Sequence, residues 1–197
     1  MKLSGTKKKF LRKHILQQAR ELYLHPQTDA AITGNLKQRY PGLTPEIVRE
    51  AFNYLAGKKL AAIFTPKNRL SIQITPGGID VLDGAVTISG VEPSSSRYAR
   101  LGYKKELRRV ILLYCCNFHE FFNEDAEIHA EFIQSGFSNL LLEEVRFHIW
   151  YLAQKSLLEL KRVDMDGDLI FMARITPQGM DVIDGSEINV GVSHEAR

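Results

Sequence analysis

Between Lys9 and Tyr23 the apolar residues Phe10, Ile15, Leu16, Ala19, Leu22 and Tyr23 recur at helical spacing and predict a first helix with one buried face. The stretch from His25 to Asp29 breaks that pattern, and a short second helix is expected from about Ala30 to Arg39. After the Pro41-Gly42 turn, Thr44 offers a side-chain cap, Pro45 suits the first helical position and Glu46 suits the positive helix end. Val48, Ala51, Phe52 and Leu55 then form the buried stripe of a third helix reaching about Lys59. The runs Leu60–Phe64 and Leu70–Ile74 predict a β-hairpin, with Thr65 to Arg69 as its polar tip. Thr75-Pro76 repeats the cap-plus-proline start for a fourth helix ending near Gly84.

The pattern then occurs again. The eleven residues Ile74–Gly84 (ITPGGIDVLDG) return as Ile175–Gly185 (ITPQGMDVIDG), and Gly90-Val91 returns as Gly191-Val192, both at an offset of 101. Val48-Arg49, Tyr54, Leu55, Ala56, Lys58 and Leu60 return as Val145-Arg146, Tyr151, Leu152, Ala153, Lys155 and Leu157, at an offset of 97. Leu11-Arg12 with Ile15-Leu16 matches Leu107-Arg108 with Ile111-Leu112 at 96. Three blocks in one order imply an internal duplication. The expected division is a first domain over 1–92, a linker over 93–103 marked by Pro93 and three serines, and a second domain over 104–197.

Three helices, the last two closely joined, and then a hairpin give a mainly α fold with small β-hairpins, an α+β class. That order resembles the winged helix-turn-helix family across nearly all of both repeats. The string from Ile74 to Val91 is similar to the ending of small winged-helix proteins encoded by Mu-like prophages. The resemblance implies two tandem winged-helix domains and, from the family's common use, binding to duplex DNA.

Composition narrows the function. The chain of 197 residues is 44% hydrophobic and 25% charged, an ordinary globular balance. Its two cysteines, adjacent at Cys115 and Cys116, make no disulfide framework, and no apolar run approaches a membrane span, so a cytoplasmic protein without membrane contact is expected. No phosphate-binding loop, dinucleotide fingerprint or nucleophile elbow occurs, which predicts neither enzyme activity nor a cofactor. Cys115 and His119 share a helix face but lack the remaining ligands of a zinc site, and a buried cysteine beside an edge histidine accounts for them. Asp164, Asp166 and Asp168 imitate the start of a calcium loop, yet Ile175 stands where that loop needs a glutamate; Asp166-Gly167 at a hairpin tip explains them.

Charge separates the copies. Residues 1–93 hold 14 Lys and Arg against 7 Asp and Glu, whereas residues 94–197 hold 12 against 16. Only the first copy has the surplus of cations that neutralises phosphates. Its expected contacts are Lys37, Arg39, Arg49, Asn53, Lys58, Lys67 and Arg69, with Arg49 placed to read guanine and Asn53 adenine from the third helix. Glu46 and Glu50 on that outer face repel phosphate. In the second copy Phe147 and Trp150 replace Glu50 and Asn53, so its third helix is expected to expose a protein interface for self-association or a partner, the alternative being that Trp150 is buried by the first helix or the other domain. The expected partners are duplex DNA and a second copy or another protein. The rival expectation is an adaptor that uses both winged helices as protein-binding surfaces, as some chromosome-structuring accessory proteins do.

Overall fold

The first helix, α1 (Gly5–Glu21), starts ahead of its apolar stripe because the Ser4 hydroxyl accepts a hydrogen bond from the Lys7 N–H. A computed structural model describes residues 3–65, 69–93 and 99–193. After α1 come β1 (Gln27–Thr28), α2 (Asp29–Leu36), α3 (Pro45–Gly57), β2 (Ala61–Phe64), β3 (Ser71–Ile74) and α4 (Pro76–Asp83). The three strands form one antiparallel sheet in the order β1-β3-β2. Leu11, Ile15, Leu16 and Ala19 of α1 and Val48, Ala51, Phe52 and Leu55 of α3 lie in the core, the same inward set that the helical spacing predicts for α3.

The second half repeats the order with α5 (Ala99–Asn117), β4 (Asn123–Glu124), α6 (Asp125–Gln134), α7 (Leu142–Gln154), β5 (Leu158–Met165), β6 (Asp168–Ile175) and α8 (Pro177–Ile183). Its sheet is β4-β6-β5, again antiparallel. The fold class is therefore mainly α with small β-hairpins, and each half has the same element order, helix-strand-helix-helix-strand-strand-helix. The chain divides into two compact units, Met1–Tyr98 and Ala99–Arg197.

Three features depart from the expected outline. The broken stretch after α1 contains a strand, whose Gln27 and Thr28 sit opposite Ile72 and Ser71. Residues 99–103, expected as linker, are the opening of α5. The four extra residues between Leu157 and Ile175 lengthen the second hairpin to eight residue pairs, against four in the first. Its tip is the two-residue turn Asp166-Gly167, both at positive φ (54° and 91°), as the Asp-Gly pair predicts.

The repeated Thr-Pro-X-Gly motif has one physical cause in both units. The Thr75 hydroxyl donates to the Lys59 carbonyl (2.8 Å) and accepts from the Gly78 N–H (3.3 Å), so it ties the end of α3 to the start of α4. Thr176 does the same with Ser156 (2.7 Å) and Gly179 (3.0 Å). A Cβ at Gly78 or Gly179 would collide with the carbonyl of Leu60 or Leu157, so glycine is required there.

Candidate nucleic-acid interface

The exposed side of α3 carries Glu46, Arg49, Glu50, Asn53 and Gly57. Asn53 faces solvent as expected. Arg49 does not stand free: its Nε donates to Oδ2 of Asp29, the first residue of α2, leaving the guanidinium half exposed. The other Asp29 oxygen accepts from the Ala30 N–H at 2.8 Å. Asp29 is buried at the helix N-terminus, where the partial positive charge of the unpaired N–H groups favours a carboxylate. The arginine expected to read guanine thus joins α2 and α3.

The second unit builds the same joint. Arg146 Nε donates to Asp125 Oδ2 at 2.5 Å, and its Nη1 donates to Glu143 at 2.7 Å. Asp125 also accepts from the Phe171 N–H at 3.2 Å, which links α6, α7 and β6. Sequence reasoning missed both aspartates. Their signal was the offset: Asp29 and Asp125 are 96 apart, the spacing of the Leu11-Arg12 block.

Glu50, an objection to phosphate approach, is engaged as well. Lys8 of α1 donates to its carboxylate at 2.9 Å, and that hydrogen bond and charge hold its pKa below the usual carboxylate value. Glu46 is likewise lowered, first by its own backbone N–H and then by the Thr44 hydroxyl. Both glutamates stay ionised on the exposed face.

Lys37 and Arg39 lie exposed in the turn between α2 and α3, Lys58 at the C-cap of α3 and Arg69 on the hairpin. No carboxylate among the described residues pairs with any of these four side chains. Lys67 lies outside the described residues. Behind the turn, His14 Nδ1 and the Tyr40 hydroxyl are 2.6 Å apart. Burial, then Arg39 and Lys13, lower the His14 pKa from its ordinary value, so the ring is held neutral beside the hydroxyl it hydrogen-bonds.

The second unit lacks the exposed aromatic pair expected of it. Phe147 and Trp150 are only 8% and 5% exposed, with ring centroids 6.2 Å apart. They belong to an unbroken buried run from Phe147 to Leu152, so neither ring is open to solvent. Cys115 is buried, and burial pushes its thiol up to about 12, which leaves it a protonated core side chain. No helix among the described residues is long and apolar enough to cross a membrane.

No family model matches the chain, and no curated protein matches it. Among solved structures it is similar to a chain of one titled "Nse1-Nse3-Nse4 complex", at 14% identity over 86% of this chain and 83% of that chain. The TM-score is 0.28.

Proposed function

We propose that the chain is a non-enzymatic, regulator-like DNA-binding protein whose basic N-terminal unit holds duplex DNA through the phosphate backbone with little base readout. One observation carries this reading. On and around α3 the side chain best suited to reading a base, Arg49, is held by Asp29, whereas Lys37, Arg39, Lys58 and Arg69 are exposed and unpaired among the described residues. Cations free to meet phosphates give affinity without sequence discrimination. The acidic C-terminal unit, with Asp164, Asp166 and Asp168 at its hairpin tip, is repelled by the same backbone and supplies protein contact.

Charge removal in the full chain tests this. Lys58→Ala and Arg69→Ala should each weaken binding on every duplex alike and reduce the log–log salt slope by about 1. Asn53→Ala should change affinity by less than about 1 kcal/mol on any duplex, below the range of a bidentate base contact.

A second reading, the protein adaptor, is favoured by the apolar side chains that the acidic unit leaves exposed, chiefly Phe121, Leu141 and Ile188. It takes over if all the cation variants stay folded and bind DNA as the parent does.

A further inference from the structure

The hairpin of the second unit extends an open strand edge. In the order β4-β6-β5 the last strand has β6 on one side and no strand on the other among the described residues. β5 runs eight residues in continuous register with β6, from Leu158 opposite Ile175 to Met165 opposite Asp168, with no proline and no bulge. An exposed edge of this length is a template for another strand. The four-residue β2 offers no comparable edge.

Which backbone groups point outward follows from the ladder. A two-residue turn makes its flanking residues, Met165 and Asp168, a hydrogen-bonded pair, so Met165, Val163, Lys161 and Glu159 turn their N–H and C=O groups toward β6. Two bonds agree with this phase. Leu157 accepts from the Thr176 N–H at 3.2 Å, and the Phe171 N–H points the other way, to Asp125. The N–H and C=O groups of Leu160, Arg162 and Asp164 therefore face away from the sheet.

We propose that this edge pairs with β5 of a second copy, antiparallel, about a two-fold axis at Val163. Charge selects the occupant and the register. Only residues of like parity pair in phase, so the axis falls on a residue. Centred on Val163, Arg162 of each copy meets Asp164 of the other, Val163 meets itself, and Lys161 meets Met165. Centred on Lys161 or Arg162, a cation meets its own copy across the axis, and centred on Leu160 the Lys161 ammonium meets Glu159, which Arg174 already pairs at 2.7 Å. Arg162 is exposed and unpaired among the described residues. Asp164 uses Oδ1 for the Gly167 N–H at 3.0 Å, and no bond is assigned to its second oxygen among the described residues. The contact goes beyond DNA binding and is independent of it. It is isologous, so two copies close into one dimer.

Sedimentation of the full chain without DNA tests the pairing, with circular dichroism as the check on folding. The wild type should self-associate with a dissociation constant on the order of 10 to 100 μM, the range of a small interface. Arg162→Asp and Asp164→Arg should each weaken association by about 10-fold or more, because like charges then face each other. Mixed together, the two variants should associate within about 3-fold of the wild type, because each restores the other's opposite charge. Arg162→Pro removes an outward N–H and leaves the β5–β6 ladder intact, so it should abolish association in a folded protein. A wild type that stays monomeric, folded variants that fail to associate when mixed, or an Arg162→Pro protein that associates like the parent would each overturn the proposal.

Discussion

Arg12 lies over the ring of Tyr54, 3.4 Å from its centroid, and Arg108 lies over Tyr151 at 3.7 Å, so the same cation–π contact is made once in each unit. Arg12 Nη1 also donates to the Gly90 carbonyl at 3.0 Å, and Arg108 Nη1 to that of Gly191 at 3.1 Å. These residues come from the three repeated blocks, at offsets of 96, 97 and 101. The blocks that recur are those that meet at one point: a residue of the first helix, one of the third, and the turn after the last.

That meeting point leaves no room at Gly90. Its φ is +90°, and a Cβ there would fall on the Tyr54 hydroxyl, which donates to the Ser89 carbonyl at 2.6 Å. Gly90→Ala should therefore cost about 2 to 4 kcal/mol, from left-handed backbone strain and displacement of the ring. Gly34→Ala is the contrast. It lies within α2 with nothing near its missing Cβ, and should stabilise by about 0.5 to 1 kcal/mol. Thermal or denaturant unfolding of the two variants measures the difference in sign.

The Arg–Asp joint should matter unequally in the two units. Asp125→Ala leaves Arg146 Nε and the buried Phe171 N–H without their acceptor and should cost about 3 kcal/mol. Asp29→Ala leaves Arg49 half exposed and able to recover water, and should cost about 1 to 2 kcal/mol. Double-mutant cycles with Arg146→Ala and Arg49→Ala isolate each coupling. A coupling near zero in both units would remove the joint from the account.

His14 confers a pH dependence on the first unit. Its folded pKa is depressed, so the neutral form is favoured by folding. The stability it contributes is present above the unfolded value of 6.5 and is lost as pH falls through the lower folded value. Protonation places a cation in a desolvated position beside Arg39 and Lys13. Between about pH 7 and pH 5, His14→Gln should lose less stability than the parent. An imidazole titration by NMR at or above 6.5 in the folded protein would contradict the assignment.

The helices, both hairpins and the duplication were legible because each obeys a periodicity, and the inward face of α3 emerged residue by residue. β1 was not legible, because two residues paired to β3 show no alternation. The Arg49–Asp29 joint was missed for a different reason. An arginine on an exposed helix face has the same sequence pattern whether it faces a base or an aspartate twenty residues earlier. For Trp150 the sequence left exposure and burial both open, because alignment to the one-sided α3 points outward while the bulky apolar run around it points inward, and the structure buries it.

The central claim, backbone binding by the basic unit without base readout, meets its most direct test in the salt dependence of the full chain on two unrelated duplexes of equal length. Affinities on the two should agree within about 3-fold, and both should fall with a log–log slope of roughly −4 to −5, the response to releasing counterions from about five phosphates. A flat response to salt, or a preference of about 100-fold or more for one duplex, would contradict the account.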